Sequence, residues 1–189
     1  MKDGLRFVDC DMHVMEPADL FDKYLNPRFK DRVTFPVSAS GDPRSGVLYV
    51  DGLPRTMDDN TQQYRKPLRG VTASRNQPLS GSRSASTGRL DFAIERNYDP
   101  QAQVIGMAME GVDIAVLYPT VNLSVIARDG MDPQLSLAIC EAYNNWISDF
   151  CSFSPERLKF AAMLPFHDVN LACKELVRCV QELGAVASF

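Results

Sequence analysis

The sequence predicts an α/β protein built on a parallel sheet, and three observations carry that expectation. Strand-like apolar runs alternate with amphipathic helical runs through residues 99–189. The strand runs are apolar at nearly every position, the pattern of strands covered on both faces. Between them lie segments long enough for the crossover helices that parallel strands need.

Each element has a local reason. Leu5-Arg6-Phe7-Val8-Asp9-Cys10-Asp11 reads as the first strand, and Pro17 opens a short helix through Phe21, because proline at a first helical position has no amide to waste. Val47 to Pro54 reads as a hairpin with Asp51-Gly52 at its turn, where a type I′ geometry demands two residues tolerant of positive φ. Asp99-Pro100 caps a helix ending at Glu110-Gly111, and Asp113 to Tyr118 follows as a strand. Asp132-Pro133 caps the next helix, which carries Leu135, Ile139, Ala142, Tyr143, Trp146 and Phe150 on one stripe at spacings of three and four. After Ser154-Pro155 comes the strand Leu158–Leu164. Asp168 caps a third helix that stops at Leu183-Gly184, and Ala185–Phe189 begins a fourth strand.

Composition narrows the function classes. The 189 residues, 45% hydrophobic and 23% charged, suffice for one core or at most two small ones. A net charge of −4 and a pI near 5.2 argue against a nucleic-acid binder or a polybasic membrane surface. No apolar run approaches the ~20 residues of a bilayer span, and Met1-Lys2-Asp3-Gly4 leads into no signal-peptide core. Five cysteines (Cys10, Cys140, Cys151, Cys173, Cys179) form no CxxC pair and read as reduced, buried thiols of a soluble cytoplasmic protein. Residues 26–98 form an irregular insertion between two regular parts. Within it, residues 69–89 are rich in serine and glycine, carry Arg69, Arg75, Arg83 and Arg89, and lack any acidic residue. Such a segment is either a solvated mobile loop or a lid whose arginines meet an anionic substrate.

The residues that could carry chemistry gather where the first strand ends, in Asp9-Cys10-Asp11-Met12-His13-Val14-Met15-Glu16-Pro17. Residues two apart in a strand point the same way. Asp9, Asp11 and His13 are therefore expected on one face, with Asp11 and His13 emerging at the carboxyl end, where parallel-sheet enzymes place their sites. A carboxylate and a neutral imidazole so placed can converge on Zn²⁺, Mn²⁺ or Fe²⁺. Glu16 and His167 are further candidates. Each also has an ordinary reading: Glu16 as an acid near a helix start, His167 as loop structure before the capping Asp168.

The string Phe7 to Pro17 resembles the opening strand of the amidohydrolase-related proteins, the branch containing aminocarboxymuconate-semialdehyde decarboxylase and related non-oxidative decarboxylases. Met109 to Thr120 resembles that branch's second strand, and Leu158 to Asp168 its third. The resemblance implies a (β/α)₈ (TIM) barrel of which this chain supplies the first half, with an insertion after strand 1. It implies a divalent metal held at the carboxyl face by Asp11 and His13, a carboxylate variant of the usual H-x-H pair, and Glu16 and His167 as substrate-binding residues. It also implies a metal-dependent hydrolase or non-oxidative decarboxylase acting on a small carboxylated or carbonyl-bearing compound. The family's remaining metal-site residues, a histidine near strand 5 and an aspartate at strand 8, have no counterpart here, so the divalent ion is expected to be incompletely liganded. A competing reading is a catalytically incomplete half-barrel that self-associates through its last strand; a weaker one is a self-contained open α/β binding module.

Overall fold

The structure, a computed structural model, describes residues 4–35, 48–55, 91–120 and 122–189. Four parallel strands form the main sheet: β1 (Val8–Val14), β5 (Ile114–Pro119), β6 (Leu158–Ala162) and β7 (Ala187–Ser188). Three short strands, β2 (Val33–Thr34), β3 (Leu48–Val50) and β4 (Leu53–Arg55), form an antiparallel sheet within the insertion. The helices are α1 (Leu20–Tyr24), α2 (Asp91–Glu95), α3 (Pro100–Glu110), α4 (Pro133–Cys151) and α5 (Val169–Arg178).

In the main sheet each strand lies beside the one before it, in the order β1-β5-β6-β7. A doubly wound sheet would return to its middle and wind outward again. Winding in one direction is instead that of the first half of a (β/α)₈ barrel, so the fold class read from the sequence stands.

This winding also decides where the core sits. Right-handed crossovers between strands added in one direction put the connecting helices on one side of the sheet. On that side Ala115 and Leu117, with Leu158 and Phe160 in register beside them, are at most 1% exposed. The α4 stripe of Leu135, Ile139, Ala142, Tyr143, Trp146 and Phe150 is buried in the same core. On the opposite face Ala161 is buried, but Ile114, Val116, Tyr118 and Lys159 are only half-buried among the described residues, whereas burial on both faces was expected.

The three helix starts drawn from Asp-Pro and Asp168 are as expected. Asp99, Asp132 and Asp168 accept hydrogen bonds from the amides of Ala102, Gln134 and Leu171 respectively, satisfying donors that have no partner inside the helix. Gly111 ends α3 at φ 78°. The hairpin turn also forms, with Asp51 and Gly52 at φ 53° and 72°, the two positive values a type I′ turn requires.

Three local expectations are corrected. The first strand runs Val8–Val14 rather than ending at Asp11. The helix after Pro17 begins only at Leu20, because a turn closed by the Leu20 amide on the Pro17 carbonyl intervenes. Cys10 and Cys173 are exposed, while Cys140, Cys151 and Cys179 are buried; Cys10 lies on an edge strand and Cys173 on the outer side of α5. The third helix reaches Gly184 as anticipated, with its last five residues, Cys179–Leu183, widened into a π turn.

Two polar devices join the layers. Asn144, fully buried on α4, donates from Nδ2 to the Met163 carbonyl at 2.9 Å and accepts the Met163 amide at Oδ1, also at 2.9 Å. It thereby acts as one residue of a neighbouring strand. The insertion sheet is clasped to the loop before α4 by Arg32, which reaches Asp51 at 2.6 and 3.0 Å and Asp132 at 2.7 Å. Arg128 adds a bond to the Val50 carbonyl at 3.0 Å. Residues 69–89, and the lid or mobile-loop expectations attached to them, lie outside the described residues.

Candidate functional site at the carboxyl end of the first strand

The β1–β5 ladder contains an irregularity that pattern reading could not show. Asp9 pairs with Ala115 and Met12 with Leu117, so three steps along β1 match two along β5. This is a bulge at Cys10-Asp11, and beyond it the side-chain alternation restarts out of phase. Neighbours in parallel register share a face. Asp9 therefore lies on the helix-side face of Ala115, while His13, paired with Tyr118, lies on the opposite face. The expectation that Asp9 and His13 share one face is corrected, because the extra residue reverses the alternation. Within the bulge, Asp9 Oδ1 accepts the Asp11 amide at 3.0 Å.

His13 is exposed, and its Nδ1 lies 2.8 Å from the Pro119 carbonyl oxygen. A carbonyl can only accept, so Nδ1 carries the proton. In the neutral ring Nε2 then keeps its lone pair. A carbonyl partner on one ring nitrogen with a lone pair on the other is the arrangement that orients histidine toward a metal or a proton.

Glu16 is 2% exposed. Its Oε2 accepts the Thr120 amide at 3.1 Å and its Oε1 the Asn122 amide at 2.8 Å. The Thr120 hydroxyl donates to the Val14 carbonyl at 2.9 Å. The carboxylate thus ties the chain after β1 to the chain after β5, two segments more than one hundred residues apart. Buried amides aimed at an anion offset the cost of taking it out of water. Burial pushes the Tyr143 hydroxyl well above its ordinary value, and the charge of Glu16 adds to the effect.

His167 follows β6, and both its ring nitrogens are engaged. Nε2 lies 2.6 Å from the Arg128 carbonyl and so donates; Nδ1, 2.9 Å from Ser136 Oγ, then accepts in the neutral ring. The histidine joins the loop after β6 to the first turn of α4 and to the residue whose guanidinium holds the insertion sheet. Ser136, Thr120 and Asn122 were not anticipated: each is an ordinary loop or helix residue locally, and its role exists only through partners distant in sequence.

Asp11 lies in the bulge at the middle of β1, His13 one residue before the strand's carboxyl end, and Glu16 just beyond it. Among the described residues no three His, Cys, Asp or Glu side chains group closely enough to hold a metal ion. Two donors remain on the strand, a carboxylate and an imidazole of fixed tautomer, and both suit a first-row divalent ion.

No protein-family model matches the sequence. Solved structures do share its fold. An amidohydrolase from Mycobacterium avium subsp. paratuberculosis superposes with a TM-score of 0.61 at 19% identity, over 96% of this chain and 48% of its own. A variant of 5-carboxyvanillate decarboxylase from Novosphingobium aromaticivorans, with bound manganese and 3-methoxy-4-hydroxy-5-nitrobenzoic acid, gives a TM-score of 0.53 at 16% identity, over 97% of this chain and 41% of its own. The chain therefore spans a little under half the length of the structures it matches. Over that span, its fold is that of this amidohydrolase and of this decarboxylase.

Proposed function

We propose that the whole protein to which these residues belong is a metal-dependent amidohydrolase-related enzyme acting on a small carboxylated or carbonyl-bearing molecule. Non-oxidative decarboxylation is the first reading and hydrolysis the second. The observation that carries it is His13, held by Pro119 with Nε2 available, two residues from Asp11 at the carboxyl end of β1. The fold shared with an amidohydrolase, and with a decarboxylase whose structure contains manganese, supports the same choice.

In this reading Asp11 and His13 would hold a divalent ion, Zn²⁺, Mn²⁺ or Fe²⁺. Such an ion, when bound, lowers the pKa of water or stabilises charge on a substrate carboxylate. Glu16 and His167 position the loops after β5 and β6 around the substrate, Glu16 through the Thr120 and Asn122 amides and His167 through Ser136 and Arg128. The acidic balance of the chain supports a small-molecule substrate over a nucleic acid. No helix among the described residues is long and apolar enough to cross a membrane.

Elemental analysis of the purified protein tests the reading. It should contain manganese, zinc or iron, and an Asp11→Ala/His13→Ala variant that retains its circular dichroism spectrum should lose it. Equal metal in both proteins would remove Asp11 and His13 from the site.

A further inference from the structure

One peptide group beside the candidate site is held at both ends. The unit joining Pro119 to Thr120 offers its carbonyl to His13 Nδ1 at 2.8 Å and its amide to Glu16 Oε2 at 3.1 Å. A trans peptide points these two groups in opposite directions, so the imidazole and the carboxylate grip it from opposite sides. The same carboxylate takes the Asn122 amide on Oε1 at 2.8 Å, and the Thr120 hydroxyl bonds the Val14 carbonyl at 2.9 Å.

We propose that Glu16 is a positioning residue for His13, fixing through the Pro119–Thr120 peptide both the Nδ1–H tautomer and the direction of the imidazole. His13 is exposed, and an exposed imidazole bonded to an ordinary carbonyl gains little over water, which offers the same bond. This carbonyl differs in two ways. Its peptide cannot turn without breaking the amide's charge-assisted bond to a carboxylate that is itself 2% exposed. Hydrogen bonding at the amide also draws electron density onto the carbonyl oxygen and strengthens it as an acceptor. Both effects keep the proton on Nδ1 and leave the lone pair on Nε2, the nitrogen a metal would take. The tautomer is a property of this chain itself; only its use by a metal rests on the proposed function.

Nitrogen-15 NMR of the metal-free, histidine-labelled protein, at a pH where the rings are neutral, tests it. The chain has two histidines, and His167, which donates from Nε2 to the Arg128 carbonyl, supplies the opposite tautomer as an internal reference. Expected in the parent is a single Nδ1–H tautomer for His13. Glu16→Gln keeps the shape but sets an amino group against one of the two amides, and should give a mixture of tautomers. Thr120→Pro deletes the amide donor itself after a residue already extended in β5; it should act alike and serves if Glu16→Gln does not fold. Thr120→Val removes only the hydroxyl bond to Val14 and should leave the tautomer as in the parent. Zn²⁺ titrated into Glu16→Gln should bind roughly 10-fold or more weaker than to the parent. A parent His13 protonated on Nε2, a single Nδ1–H tautomer kept in Glu16→Gln or Thr120→Pro, or a mixture in Thr120→Val would overturn the proposal. Zn²⁺ that fails to bind the parent would defeat the metal reading and leave the tautomers to decide the role of Glu16.

Discussion

Replacing Glu175 by glutamine should destabilise the protein far more than a one-atom change suggests. Glu175 sits on α5 with 2% exposure. Its carboxylate takes two hydrogen bonds from Arg178, at 2.7 and 2.8 Å, one from Asn144 at 2.7 Å and one from the Cys179 thiol at 3.3 Å. Removing one member of a sealed ion pair costs roughly 3–5 kcal/mol, because the other charge is left uncompensated. Here the Arg178 side chain keeps 26% of its surface and a bond to Asn145, so solvent offsets part of that loss. A cost of about 2–3 kcal/mol follows, and at roughly 2–4 °C per kcal/mol for a chain of this size the unfolding midpoint should fall by about 4–12 °C. One term opposes it. Burial pushes the Glu141 carboxyl up, and the charge of Glu175 pushes it further; the substitution relieves that repulsion. Thermal and urea unfolding followed by circular dichroism at pH 7 measure the result. A Glu175→Leu/Arg178→Leu double variant should recover much of the loss, since it removes both charges and leaves apolar packing. Glu175→Gln within about 0.5 kcal/mol of the parent, or a double variant weaker than the single one, would refute the reasoning.

Asn144→Ala should cost about 3 kcal/mol, because it strands the buried amide and carbonyl of Met163 together, and urea unfolding reads it. Arg32→Met should flatten the acid limb of the stability–pH curve. The Arg32 hydrogen bonds hold the carboxyls of Asp51 and Asp132 below their usual range, so their stabilisation is complete above pH ~4 and disappears as pH falls through the depressed values; curves that stay parallel down to pH 2.5 would contradict this. Gly111→Ala should lower stability by about 1 kcal/mol, because φ 78° is costly for a residue with a Cβ although the space around it is open. Exposed Phe7, just before the edge strand β1, and Val8, its first residue, at 45% and 53%, should drive self-association of the 189-residue chain at micromolar concentration; a sharp 21 kDa species in analytical ultracentrifugation would count against it.

What the sequence by itself determined is what short-range chemistry controls. Asp99, Asp132 and Asp168 could be placed as caps because a cap bonds amides two or three residues away. The Asp51-Gly52 turn was legible because positive φ admits few residue types. The α4 stripe followed from helical period, and the parallel order from strands alternating with long crossovers. The candidate metal pair was visible as Asp-x-His. The tertiary structure decided everything that depends on partners far along the chain. The bulge at Cys10-Asp11 comes from register against β5, and it moves Asp9 to the face opposite His13. The Glu16 anchor, the His13 tautomer and the His167 bridge each need a backbone group brought from 39 to 106 residues away. Alternation rules describe one strand; the phase of that alternation at a site is set by the neighbouring strand against which it is measured.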